Sequence, residues 1–143
     1  MNDACGECDG RCCRYFCFEI DEPDSYEEFE DIRWYLCHEG VRVHIDEGDW
    51  YMCIANPCKM LDADNRCRIY EDRPLLCRKY SPANCDLTSG DYGYEEEFCT
   101  PEELEAYARR TLGEEAFVKA RDRARRKVAR KRARQLATAR AGR

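Results

Sequence analysis

Cys5-Gly6-Glu7-Cys8-Asp9-Gly10-Arg11-Cys12-Cys13, near the start of a 143-residue chain, is a C-x2-C-x3-C-C run. It is answered downstream by Pro57-Cys58-Lys59-Met60-Leu61, by Cys67-Arg68-Ile69-Tyr70-Glu71-Asp72-Arg73-Pro74, by Cys77-Arg78 and by Cys85. Cysteine makes up 12 of the 143 residues, a density at which composition is itself a structural signal. Many of the remaining apolar residues are Tyr, Ala and Val, so the aliphatic core is small. A domain short of core commonly needs metal or disulfides to offset its conformational entropy.

The compartment decides between those two. The N-terminus has neither a basic n-region nor an apolar h-region, and no stretch reaches the length of a membrane span. The expected location is the reducing cytoplasm, where thiols stay free and ligate metal.

Outward from the first block, Ser25-Tyr26-Glu27-Glu28 reads as a capping box. The helix it opens carries Phe29, Ile32 and Leu36 at helical spacing and stops by Gly40. Val41 to Ile45 alternates as a strand, Asp46-Glu47-Gly48-Asp49 is a turn, and Trp50 to Ile54 returns as the second arm of a hairpin. Within the second block, Asp62-Ala63-Asp64-Asn65 is a polar turn that brings Cys58 and Cys67 back towards each other. Asp72 is placed to cap a short helix near Pro74 that carries Cys77. Residues 86 to 97 read as a loop. Thr100-Pro101-Glu102-Glu103 is a second capping box, and Gly113 breaks or kinks the helix that follows.

These signals predict an α+β fold: a small, irregular, metal-stabilised Cys-rich domain with a short β-hairpin and helices. Residues 1–100 form the metal-binding domain, and residues 101–143 a helical extension with a basic tail.

The chemistry rests on convergence of thiolates, at roughly 2.3 Å from a zinc or at the corners of an iron–sulfur cluster. The Cys5-x2-Cys8 spacing lets one backbone turn present two sulfurs to one ion. Cys12 and Cys13 are adjacent, so their side chains are expected to diverge towards two sites or opposite sides of a cluster. Eight thiolates make two closed four-sulfur zinc sites, one cluster with a zinc, or one site plus structural thiols. Spacing does not choose among them. The cofactor is therefore zinc or iron, the latter including a 4Fe-4S cluster.

Charge supports the same reading. Of the 12 basic residues before position 119, Arg11, Arg14, Lys59, Arg66, Arg68, Arg78 and Lys79 lie within two positions of a candidate ligand. Such cations offset thiolate charge and favour its ionisation. Arg11, Arg14, Arg68, Arg73 and Arg78 are the expected charge-compensating residues. Cys17, Cys37, Cys53 and Cys99 sit in or beside apolar runs and are expected to pack as small hydrophobes.

The combination C-x2-C-x3-C-C, P-C-x-x-L, C-x-I-Y-E-x-R-P and C-R resembles the bacterial and archaeal cysteine-cluster (CxxCxxxCC) proteins described as zinc- or iron-chelating domains. The resemblance runs from Cys5 to Cys85. It implies metal ligation by the family's eight recurrent cysteines, which fall on Cys5, Cys8, Cys12, Cys13, Cys58, Cys67, Cys77 and Cys85. A flagellin lysine N-methylase contains a related cluster, thought to hold iron and sulfur. This chain is short and lacks recognisable methyl-donor-binding machinery, so that activity is not carried over.

Other chemistry is weakly marked. No Gly-rich phosphate loop, nucleophile elbow or paired catalytic acids appear. His38, just past a helix, reads as a dipole partner, and His44 as an exposed strand residue. Asp62, Asp64 and Asn65 faintly resemble a calcium loop without its Gly and distal Glu.

Net charge hides an asymmetry. Residues 119–143 carry 12 Lys or Arg against Asp122 alone, giving +11, whereas the rest carries −17. Arg125, Arg126, Lys127, Arg130, Lys131 and Arg132 repel one another along a helix, and phosphates would relieve that repulsion. A solvated, partly frayed helix, or one lying on its own acidic body, is the plainer expectation for the tail, and nucleic acid or an acidic protein the alternative. Opposing it are the acidic body and the lack of any aromatic after Phe117.

Three functions follow. The leading one is a binding or accessory module with a mainly structural metal. The others are an iron–sulfur enzyme of redox or group-transfer, methyl-transfer-like type, and an adaptor using the tail.

Overall fold

A computed structural model of the chain describes residues 8–79, 85 and 92–142. The elements in order are β1 (Phe16–Ile20), α1 (Tyr26–Leu36), β2 (Val41–Asp46), β3 (Asp49–Ile54), α2 (Leu75–Arg78), β4 (Glu96–Phe98), α3 (Pro101–Leu112) and α4 (Glu114–Ala141). The fold is a mixed α+β one, with a four-stranded sheet in the order β1-β3-β2-β4. Two compact units divide the chain: Met1–Asp21 with His38–Glu97, and Glu22–Cys37 with Phe98–Arg143.

The expected hairpin forms the centre of the sheet, with Val43 opposite Met52 and Ile45 opposite Trp50. Tight turning at Glu47 and Gly48, both at positive φ, lets the strands pair without a gap. Strand β1 has no counterpart among the expected elements; it pairs antiparallel with β3 and sets Phe18 against Met52 and Ile20 against Trp50. Period-two alternation places these side chains on one face, where Val43, Ile45, Trp50 and Met52 are buried.

The other face corrects two expectations. His44 is buried, because Tyr94, just before β4, stacks on its ring at 3.9 Å while Tyr51 stacks from β3 at 5.3 Å. Strand β4 itself lies in a stretch expected to be loop; its pairing begins where Glu95 N–H donates to the Ile45 carbonyl. Beside His44, Cys53 is buried and disulfide-bonded to Cys17, its direct cross-strand partner. Those two cysteines therefore form a covalent link between β1 and β3, where simple packing was expected. Cys37 and Cys99 are exposed and do not pack as core either.

In the second unit both capping boxes form: Ser25 with Glu28 opens α1, and Thr100 with Glu103 opens α3. Burial drives the rest. Tyr26, Phe29, Ile32 and Leu36 recur at helical spacing on α1 and are buried, as are Leu104, Ala108 and Phe117. Tyr26 meets Phe117 edge-on at 5.1 Å, and Tyr107 contacts both Phe29 and Phe98. Gly113, at φ 85°, ends α3 as expected, and α4 begins at the next residue.

Candidate metal centre

The cysteine blocks occupy irregular backbone fastened by local polar contacts. Residues Arg11–Cys13 form one turn of 3-10 helix entered through Gly10 at φ 74°. A Cβ on Gly10 would lie 2.9 Å from the Leu61 side chain, so position 10 is kept small by both its conformation and its neighbour. Cys58 N–H donates to the Cys13 carbonyl at 2.6 Å. Arg14 adds a second tie, donating to Asn65 Oδ1 at 2.6 Å and to the Asp9 carbonyl at 3.1 Å.

The turn between Cys58 and Cys67 forms as its composition predicts. Asp62 Oδ1 accepts from the N–H groups of Asp64 and Arg66, Asn65 takes up a left-handed conformation, and Leu61 bridges back to Cys67. The acidic cluster thus serves as turn chemistry. Asp72, by contrast, does not cap α2: Pro74 occupies the N-cap and no side-chain cap bond is made there. Proline's fixed φ and missing N–H make it compatible with the helix start without a capping carboxylate. Arg78 instead holds the approach to α2, donating to the carbonyls of Arg73 (3.1 Å) and Glu71.

These segments enclose a cavity of about 280 Å³ lined by Cys8, Cys12, Cys13, Cys58, Cys67 and Cys77. The adjacent Cys12 and Cys13 both line it, and their side chains hydrogen-bond to each other. Leu61, Ile69 and Tyr70 supply apolar wall. Among the described residues, no group of three or more His, Cys, Asp or Glu side chains is gathered closely enough to hold a single ion. The thiols ring a space.

Two contacts invisible in the spacing hold sulfurs in place. Gly10 N–H donates to Cys8 Sγ at 3.3 Å, and Met60 N–H donates to Cys58 Sγ at 3.4 Å. Amide donors of this kind orient a ligand sulfur. Cys13 is perturbed by its surroundings. Burial pushes its thiol up, the Cys12 hydrogen bond partly offsets this, and repulsion from Cys58, Cys67 and Cys77 raises it further. Mutually repelling sulfurs of this sort are stabilised as thiolates by a shared cation, which displaces their protons.

Of the remaining candidates, Cys5 lies outside the described residues. Cys85 is half-buried and is not among the residues lining the cavity. Of the five expected charge-compensating arginines, Arg73 lines the cavity and lies over the Tyr70 ring at 3.9 Å. Arg11 pairs with Asp9, and Arg68 donates to the Lys59 carbonyl, so with Arg14 and Arg78 they also act as loop fasteners. Arg66, a wall residue, was passed over in that set although it adjoins Cys67.

The second charged feature is α4. Every residue from Arg125 to Gly142 is exposed. Arg126, Lys127, Arg130 and Lys131 line one side together with Arg123 and Arg134. At about 100° per residue, Arg125 and Arg132 fall on the opposite side.

Fold and cavity together define a small α+β protein with a thiol-lined pocket suited to a soft metal. Residues 4–100 match the CxxCxxCC family, described as "Putative zinc- or iron-chelating domain". That match spans more than half the chain, and the chain belongs to this family. No curated protein and no solved structure matches it. No described helix is long and apolar enough to cross a membrane.

Proposed function

We propose that the chain is a cysteine-cluster accessory module whose zinc or iron is mainly structural. The observation that carries this is the convergence of six cysteines from separate loop segments on one 280 Å³ cavity. The segments that carry these cysteines are loop and short helix with little buried apolar surface, as the exposure of Leu75 and Leu76 just before Cys77 illustrates. Metal–thiolate bonds would then supply much of the free energy that holds the two blocks together. Cys8, Cys12, Cys13, Cys58, Cys67 and Cys77 are the ligand pool, with Cys5 and Cys85 completing the set of eight.

The donor set fits either metal. Four of the six thiols would close one zinc site or hold one iron–sulfur centre, since each takes four cysteines. Bound there, such a centre supplies electron-transfer or Lewis-acid chemistry. Exposed ligands at Cys58 and Cys77 would leave it within reach of a reactant, which favours an iron–sulfur enzyme as the alternative.

A second reading, adaptor function, is favoured by a different observation: the exposed basic side of α4, through which the module would dock on a polyanion.

Anaerobic purification followed by metal, labile-sulfide and visible-absorption analysis tests the centre. Iron with sulfide and a brown colour supports the cluster. One or two zinc ions in a colourless protein supports the structural scaffold. Metal-free protein that stays folded would overturn both.

A further inference from the structure

We infer that the basic side of α4 is a docking surface for the phosphate backbone of duplex nucleic acid, bound without regard to sequence. This rests on the adaptor reading above and names its polyanion.

Arg123, Arg126, Lys127, Arg130, Lys131 and Arg134 recur at intervals of three and four residues, the spacing that stacks side chains along one helix face. The run from Arg123 to Arg134 rises about 16 Å, so the charges form a line and not a point. Regularly spaced phosphates complement a line of cations. Four of the six are arginine, whose planar fork pairs with phosphate oxygens bidentately.

The helix also lacks internal relief. Arg123–Lys127, Arg126–Arg130, Lys127–Lys131 and Arg130–Arg134 are like-charge pairs at i,i+4, each unfavourable to the helix. Asp122, the sole acid after position 115, pairs with Arg121, off this line. Exposure all round means that no packing compensates. A polyanion lying along the line would remove the repulsion that the free chain carries.

Three absences in the sequence narrow the polyanion. No aromatic follows Phe117, so unpaired bases find nothing to stack on, which favours a duplex over a single strand. Protein interfaces are anchored by buried aromatic and apolar side chains, and this face offers none. No Asn follows Asn84, and Gln135 is the single amide near the line, so base reading is not provided for.

The test is fluorescence anisotropy of the full-length, metal-loaded protein with a 20-base-pair DNA duplex of arbitrary sequence. Six phosphate contacts predict a log–log salt slope of about −5. The double substitution Arg126→Ala, Arg130→Ala should weaken binding and reduce that slope by about 2. Arg125→Ala with Arg132→Ala removes the same charge from the opposite side and should cost less than half as much. All four positions are exposed, and metal content, measured alongside, should not change. Equal losses from the two pairs would overturn the assignment to this face. A single strand of equal length bound as tightly as the duplex would overturn the duplex. Capture of a polyglutamate peptide without duplex binding would overturn nucleic acid while leaving the adaptor reading standing. Binding of neither would remove both.

Discussion

Cys58 N–H donates to the Cys13 carbonyl at 2.6 Å, so the two cysteine blocks are joined through main chain as well as through any shared metal. Gly10, whose carbonyl accepts from Cys13 N–H at 3.0 Å, lies close beside Leu61. Gly10→Ala must adopt a left-handed conformation at a cost of about 1–2 kcal/mol, and it must displace Leu61. Urea unfolding should show a loss of at least this size, and a chelator should strip metal faster than from the parent. An unchanged midpoint would mean that the loops repack freely.

Thiols on the cavity and thiols off it should behave differently. Cys8→Ser or Cys67→Ser should weaken metal retention by more than about tenfold, with loss of folded signal in the chelated state. Cys37→Ser should do neither, because Cys37 is exposed and its Sγ donates to the Arg33 carbonyl one turn back. Equal, mild effects from all three would contradict a metal centre at this cavity.

The link between Cys17 and Cys53 closes a loop with a sequence separation of 36. Chain-entropy reasoning assigns such a closure about 2–4 kcal/mol. Cys17→Ser should lower stability by that amount under oxidising conditions and by little in the presence of dithiothreitol. Metal content should be indifferent to either change, since these two cysteines are not among the cavity residues. Coupled loss of metal would show that the sheet and the centre share thiols.

His44 supplies a pH dependence. Burial, the main cause, holds its imidazole below the usual histidine range, opposed by Asp46 and Glu97 and reinforced by Arg42. Its Nδ1 is 3.7 Å from Cys53 Sγ. With a folded pKa below the unfolded value of about 6.5, the unfolded chain takes up a proton first as pH falls. The stabilisation associated with neutral His44 is therefore complete above pH ~6.5 and lost on acidification towards the lower folded value. Denaturant midpoints at equal metal loading should fall between pH 7.5 and 5.5, and His44→Phe should flatten that fall.

Local features were the legible ones. Ser25 with Glu28, Thr100 with Glu103, the Glu47-Gly48 turn and Gly113 each act within a few residues, so composition alone placed them. What depended on distant partners was hidden. Strand β1 exists because β3 offers it an edge, His44 is buried because Tyr94 comes to it, and Cys17 bonds Cys53 through register. At the candidate centre, spacing nominated the cysteines. It could not show that Cys12 and Cys13 line the same cavity, nor that two amides point at sulfur. Asp72 was misread because a plausible cap lies two residues before a proline that needs none.

Arg109 ties the end of α3 to the start of α4. Its guanidinium bonds Glu105 on one helix and Glu114 on the other, and it lies 4.3 Å over the Phe117 ring. A one-residue joint at Gly113 would otherwise swivel. Clamped on both sides, it becomes a fixed bracket for the α3–α4 pair, and the long helix leaves it on a set bearing. Spin labels at Ala106 and Ala129 should then report a narrow distance distribution that broadens in Arg109→Ala.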